Sequence, residues 1–415
     1  MDDLPTSHAA PLLVTPETVD DVSRGLPFAA RRALGLAAGL VWGSLAVTIP
    51  DGRVLLFQGR EPGLSAAMEI RSWRFAGRLA RAGDLGFAEA YLRGEWDSPD
   101  LATFIELFAR NRTLIETLLP DRPLVRVWQL FRHFLNRNTR GGARRNIHAH
   151  YDLGNRFYEA WLDRTMTYSS ALFAPGDNDL ASAQTRKYRA LAEALELKPS
   201  HHVLEIGCGW GGFAAFAAEE IGCRVTGLTI SKEQFAYARE RIAAAGLSDR
   251  VEFKLQDYRD ETGTYDCIAS IEMFEAVGEA YWATFFRQMR DRLKAGGRAG
   301  LQVITIREES FANYRREIDF IRRYIFPGGM LPSPTIMRDL GARFSVPLSG
   351  ERGFGLDYAR TLSLWRSRFR AAWPQLVPLG FDERFRRLWE YYLAYCEAGF
   401  RTGNIDVKQM IFAKA

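Results

Sequence analysis

Ten residues, Val203-Leu204-Glu205-Ile206-Gly207-Cys208-Gly209-Trp210-Gly211-Gly212, constrain this chain most tightly. An apolar run carrying one acid breaks into glycines, after which Phe213-Ala214-Ala215-Phe216-Ala217 takes up helical spacing. That is a strand, a tight turn and a helix N-terminus, the opening unit of a doubly wound α/β sheet. Glycines let the backbone approach a ligand closely, and the first helical turn offers unpaired N–H groups. Gly207, Gly209 and Gly212 also fit the spacing of a dinucleotide site. Such a site wants an acid closing the second strand, to hold ribose hydroxyls. Arg224-Val225-Thr226-Gly227-Leu228-Thr229-Ile230-Ser231 closes without one.

Glu205 stands before the glycines instead, an order that resembles the S-adenosylmethionine (SAM) methyltransferases and argues against a nicotinamide dehydrogenase. The residues downstream alternate as such a sheet requires. Val251 to Leu255, Tyr265 to Ile271, Arg298 to Ile306 and Val407 to Lys414 read as strands. Ser231, with Gln234 three residues on, has capping-box spacing and opens a helix running to Ala245. Trp282, Phe285, Phe286, Met289 and Leu293 line a second helix, which Gly296-Gly297 ends.

At 415 residues the chain has room for two domains. The expected layout is a flexible lead-in over 1–27, a lipid-binding or dimerising α+β domain over 28–121, a basic linker over 122–145 and the catalytic domain over 146–415. Uncharged Ala33 to Pro50 approaches the length of a membrane span. Yet Leu45, Val47 and Ile49 alternate with Ser44, Ala46 and Thr48, and Asp51-Gly52 turns the chain into Val54-Leu55-Leu56-Phe57. A short helix and then a β-hairpin is expected. Ile70 to Phe75 reads as another strand, Ala88 to Leu92 and Leu101 to Phe108 as helices.

From Arg122 to Tyr151 there is no acid, while Arg126, Arg132, Arg137, Arg140, Arg144 and Arg145 interleave with Leu124, Val127, Trp128, Phe131 and Phe134. Such a segment suits either a membrane surface or packing on the neighbouring domain, and a net charge of +5 favours an anionic partner. Cys208, Cys223, Cys267 and Cys396 show neither CxxC nor metal spacing, so a reduced, cytoplasmic chain without metal is expected. A helical insertion over 307–406, rich in aromatics and carrying Arg315, Arg316, Arg322 and Arg323, is expected to cover the carboxyl edge of the sheet. Ligands bind at that edge, and the arginines would meet an anionic headgroup.

Ordered motifs then identify a family. His148 to Asn155, Met166 to Ser169, Glu205 to Gly212, Gly227 to Gln234, Gln256 to Asp260, Met273-Phe274-Glu275, Tyr324 to Gly329, Gly355 to Tyr358 and Ala371 to Pro374 resemble the cyclopropane fatty acid synthase family. The resemblance implies a SAM-methyltransferase (Rossmann-like) sheet, SAM as donor and the cis double bond of a phospholipid acyl chain as acceptor. It implies that Tyr168, Ser169, Glu205, Gly207, Gly209, Thr229, Ile230 and Gln234 bind SAM, with Gln256, Asp257 and Tyr258 at the adenine end. Glu275 and Tyr358 match a glutamate and a tyrosine that hold a bicarbonate base; Ser170, Gln302 and Ile304 complete that candidate bicarbonate site. Methyl transfer leaves a carbocation, which the aromatic faces of Tyr324, Tyr358 and Phe274 can stabilise.

Several positions depart from the ring-forming pattern. Ser170 stands where cysteine is usual, and Ala276 and Gln302 where the family has histidines. Glu272 adds a carboxylate where glycine is common, as in the branch that methylates without closing a ring. Lying three residues before Glu275, it can share a pocket with that acid; like charges raise one pKa, leaving one group protonated and the other free as a base. The expected activity is SAM-dependent C-methylation of an unsaturated phospholipid, giving a cyclopropane or a methyl- or methylene-branched chain, with Glu272, Glu275, Tyr324 and Tyr358 as catalytic candidates. The alternative is a SAM-binding, non-methylating lipid protein that partners another fatty-acyl enzyme. The expected setting is the inner face of a membrane, contacted peripherally, as a homodimer and without nucleic acid.

Overall fold

The computed structural model describes residues 10–112 and 153–415, which fall into two compact units. The first combines the described residues up to Arg112 with Phe381–Thr402. Its sheet has the order β1-β3-β2-β4-β5, with β1 at Leu12–Val14, β2 at Trp42–Thr48, β3 at Val54–Gln58, β4 at Glu61–Ile70 and β5 at Trp96–Asp97. β2 and β3 form the expected hairpin, with Leu45 opposite Phe57 and Gly52 at φ +87 in the turn. Leu45, Val47, Leu55 and Phe57 are buried, the period of two that a half-buried strand needs. Ala33 to Pro50 is thus the end of the Phe28–Ala38 helix followed by β2. No helix among the described residues is long and apolar enough to cross a membrane.

Three expectations are corrected in this unit. The lead-in is not wholly loose, because β1 pairs in parallel with β3 and buries Val14. Ile70 ends a strand rather than beginning one, since β4 pairs along β2 and Arg74–Leu92 is helical, with a break at Gly83. The Glu383–Arg401 helix, expected in the insertion of the catalytic domain, belongs to this unit. Its Arg387 donates to the carbonyls of Tyr91 (2.6 Å) and Trp96 (2.8 Å) and pairs with Asp97 (2.9 Å), while Tyr391 packs on Tyr91. A short α+β unit has little core of its own, and an amphipathic helix from later in the chain supplies the missing face. The basic segment over 122–145 and motif residues 148–152 lie outside the described residues.

The second unit holds the described residues from Leu153 to Gly380 together with Gly403–Ala415. Its seven-stranded sheet has the order β11-β12-β10-β9-β6-β7-β8. β6 (His202–Ile206), β7 (Arg224–Thr229), β8 (Val251–Leu255), β9 (Tyr265–Ile271) and β10 (Leu293–Ile306) are parallel to their neighbours in that set. β12 (Ile405–Ala413) runs antiparallel between β10 and β11 (Leu348–Gly353). The chain winds outward from β6 to β8 and then returns to β9 on the other side of β6. This reversal opens a crevice at the carboxyl ends of β6 and β9, where Gly207 and Glu272 stand.

The rest of the insertion is only partly a cover. Helix Pro334–Arg343 is an ordinary flanking layer: Met337 packs in the core with Val303, Met410 and Phe412. Two parts of it reach the acids of the crevice: helix Gly355–Leu376 through Tyr358, and Met330, whose N–H donates to the Glu275 carbonyl at 2.9 Å. The Trp282–Arg292 helix ends before Gly296-Gly297, which instead occupy an irregularity of β10 between Leu293 and Arg298.

Candidate active site

At the end of β6 the chain turns through Gly207 (φ +83) and Gly209 (φ +51). A Cβ on Gly207 would strike Met273 Cγ at 2.7 Å, whereas one on Gly209 would meet open space. Gly209 therefore leaves room for a ligand against bare backbone, in a conformation that favours glycine. β7 closes on Thr229, whose Oγ1 donates to Gln234 Oε1 at 3.0 Å. Ser231 Oγ caps the Lys232–Ala244 helix by accepting from the Gln234 N–H at 3.3 Å. The capping box is only half-formed, because the Gln234 side chain turns to Thr229; its NH₂ keeps no hydrogen-bond partner among the described residues. A neutral amide donor thus stands near the end of β7, and Ile230 follows Thr229 half-buried.

At the next strand end, Gln256 is tied to the Thr229 carbonyl by its N–H (2.9 Å) and to Glu261 by its Nε2 (3.2 Å). Asp257 accepts from Arg259 Nε at 2.8 Å and opens the short Tyr258–Asp260 turn, while Tyr258 packs on Phe285. Its carboxylate is thus committed to an arginine. Tyr168 lies among Tyr158, Trp161 and Trp365, with ring centroids 5.3 to 5.7 Å apart.

The acids meet at the end of β9. Glu272 sits at φ +51, a left-handed conformation uncommon outside glycine, and its own N–H donates to the Gln302 carbonyl at 2.8 Å. Its Oε1 accepts from the Ser170 N–H (2.8 Å) and Gln302 Nε2 (2.7 Å), and its Oε2 from the Tyr358 hydroxyl (2.6 Å). Burial raises its pKa, opposed by the charge of Lys187 and by these three donors. Glu275 accepts from the Ile304 N–H through Oε1, while its buried Oε2 has no hydrogen-bond partner among the described residues. Burial, followed by repulsion from Glu272, pushes Glu275 up to about 8. Burial, not the expected repulsion between the two acids, is thus the larger cause, and it raises both; Glu275 is the one pushed up to about 8 and so holds its proton near neutrality.

Other expectations move. Phe274 is a core residue, stacked on Trp282 and 1% exposed, so it presents no face to a substrate. Tyr324 lies in the Ile321–Ile325 turn, against Phe320 and under Arg323. Of the four arginines expected at a rim, Arg315 and Arg316 are exposed but Arg322 is buried, donating to the Tyr314 carbonyl at 2.9 Å. Sequence reasoning missed Lys187, a fully buried lysine whose Nζ donates to Ser169 Oγ at 2.6 Å. A signal existed: Gln184 and Lys187 share the helical stripe of Leu180, Ala183 and Leu191, so two polar residues stand on a buried face.

The glycine turn, the amide near β7 and the acids beside them match one known group. A family model described as mycolic acid cyclopropane synthetase fits residues 138–410. The chain belongs to this family. Among relatives of this cyclopropane synthetase family member, tuberculostearic acid methyltransferase UfaA1 of Mycobacterium tuberculosis is 41% identical over 347 residues, 80% of each chain. Cyclopropane-fatty-acyl-phospholipid synthase of Escherichia coli is 36% identical, over 84% of this chain and 88% of that one. The solved structure of mycolic acid cyclopropane synthase CmaA1, complexed with SAH and CTAB, superposes with a TM-score of 0.61 at 31% identity, covering 65% of this chain and 98% of that one. This family member is a SAM-dependent methyltransferase, and the dehydrogenase reading falls away. The residues suit SAM: Gly209 keeps the backbone bare, and near β7 an amide stands where a nicotinamide site needs an acid.

Proposed function

We propose that this methyltransferase acts on the cis double bond of an unsaturated phospholipid acyl chain and yields a methyl- or methylene-branched chain that keeps an alkene, rather than a cyclopropane. The observation that carries the reading is the surroundings of Glu272. Ser170 N–H, the Gln302 amide and the Tyr358 hydroxyl, all candidate bicarbonate donors, converge on this one carboxylate. Ile304 N–H, the remaining candidate, is taken by Glu275. These residues do not fit a separate bicarbonate, because a side chain already occupies the donors. Glu272 is the built-in base.

Tyr168, Ser169, Glu205, Gly207, Gly209, Thr229, Ile230 and Gln234 would hold SAM, which when bound would supply an electrophilic methyl for the alkene and leave as S-adenosylhomocysteine. Glu272 then takes a proton from the acyl cation, and its three donors fix the direction from which it does so. Tyr358 lends an aromatic face beside it, and protonated Glu275 adds no second negative charge. UfaA1 is by name a methyltransferase, which favours this outcome over ring closure. Peripheral contact with a phospholipid membrane is supported by exposed Leu356, two residues before Tyr358, between exposed Arg352 and Arg360.

The test is incubation with SAM and cis-unsaturated phospholipid vesicles in bicarbonate-free buffer, read by mass spectrometry. Acyl chains should gain one CH₂ unit and take up hydrogen under mild hydrogenation. A product that resists hydrogenation, or turnover that requires added bicarbonate, would sink the proposal.

A further inference from the structure

We propose that Lys187 is a positioning residue for the base: its ammonium fixes the Ser169–Ser170 turn against Glu272 and keeps that carboxylate charged. This rests on the reading of Glu272 as the base. Lys187 lies in the middle of the Leu180–Ala194 helix and is 0% exposed. Its Nζ donates to Ser169 Oγ at 2.6 Å and stands 4.6 Å over the Tyr188 ring. One turn earlier, Gln184 Nε2 donates to the Ser169 carbonyl at 2.8 Å. Ser169 is therefore gripped at both its hydroxyl and its carbonyl, and the next N–H, that of Ser170, is aimed at Glu272 Oε1. The helix also meets Glu272 by a second route. Gln409 Nε2 bridges the Lys187 carbonyl (3.1 Å) and Gln302 Oε1 (3.2 Å), and Gln302 Nε2 holds Glu272.

A buried ammonium with no ion pair among the described residues is costly, so its retention calls for a reason. The carboxylates that face it are Glu272 after β9, Asp163 ahead of Met166, and Glu205 on β6; on its own helix it faces the Tyr188 phenol. Asp163 Oδ1 and Glu205 Oε2 are buried with no hydrogen-bond partner among the described residues. A single interior cation thus serves three interior acids. Glu272 is the acid to which the hydrogen-bonded turn also connects. Burial pulls Lys187 down to about 7, so its charge is present on the acid side of neutrality, where Glu272 needs help to stay ionised.

The full-length protein tests this through the pH dependence of kcat on SAM and cis-unsaturated phospholipid vesicles. Lys187→Met keeps the bulk of the side chain without its charge; Lys187→Gln keeps a donor for Ser169, again without charge. Both should move the acid limb of the kcat profile upward by about one pH unit, a loss that reaches about tenfold on the acid side of the limb and fades on the alkaline plateau. Thermal melts and SAM titrations of both variants report folding and cofactor binding separately. An equal loss at every pH in both variants would assign Lys187 a structural role and overturn the proposal, as would a wild-type profile in Lys187→Gln. Glu272→Gln is run alongside. If it retains wild-type turnover, the base reading fails and this inference with it; if it is inactive while the Lys187 variants show no limb shift, only the role of Lys187 fails.

Discussion

The first unit and the active site of the second bury charge in opposite ways. In the first, interior acids are answered by arginine: Glu95 by Arg78 (2.9 Å), Glu106 by Arg110 (2.8 Å) and Arg401 (3.5 Å), and Glu390 by Arg386 (2.8 Å). At that active site Glu205, Glu272, Glu275 and the nearby cation Lys187 have no ion pair among the described residues. Desolvation pushes all three acids up and the lysine down. Paired interior charge holds elements together. Unpaired interior charge, held by neutral donors, is poised to exchange a proton.

The contrast breaks first at Glu272. Glu272→Gln should lower turnover by about two orders of magnitude or more, as loss of a general base does, while SAM affinity and melting temperature hold. Near-wild-type turnover in steady-state assays would put Glu272 among the merely structural acids. Arg401→Leu should do the reverse. It removes one of the two arginines at Glu106 and the arginine at Glu397 in the first unit, and should cost on the order of 2 kcal/mol of stability, below the range for a fully buried pair because Arg401 is partly exposed. A urea titration checks it, and unchanged stability would show that the first unit's ion pairs do not carry its fold.

Glu275 sharpens the contrast by pH. Its folded pKa of about 8 lies above the unfolded value of 4.5, so the folded state holds a proton that the unfolded state releases. The stability this contributes is complete below pH 4.5 and is lost as pH rises through 8. Melting temperature should therefore fall between these limits in the wild type and fall less in Glu275→Gln. Parallel pH curves for the two proteins would contradict the split between the acids.

What was legible in the sequence was local. Gly207 and Gly209 announce positive φ, Ser231 announces a helix start, and the alternation of Leu45, Val47 and Ile49 announces a hairpin; each depends on a few adjacent residues. Glu272 and Glu275 could be placed together because only a strand end and a turn separate them. The resemblance grouped Ser170, Gln302 and Tyr358 at one site, but that all three donate to Glu272 was not legible, because they come from three distant elements whose side-chain directions only the fold sets. Nor was the ownership of the Glu383–Arg401 helix: an amphipathic stripe states that a face must be covered, not which core covers it. Phe274 failed for a related reason, since a ring one residue before a candidate acid can point to the core as readily as to the substrate.

The route of the chain after Gly380 bears on how the protein is made. Phe381–Thr402 finishes the first unit, and Ile405–Ala413 then supplies β12 between β10 and β11. A ribosome therefore holds two unfinished cores until Phe381 to Ala413 have emerged. Meanwhile the parallel strands wait with a free edge along β10, a surface prone to wrong pairings. Nascent chains stalled just before residue 381 should be protease-sensitive in both halves, and protection should arrive only once residues 381–413 have emerged.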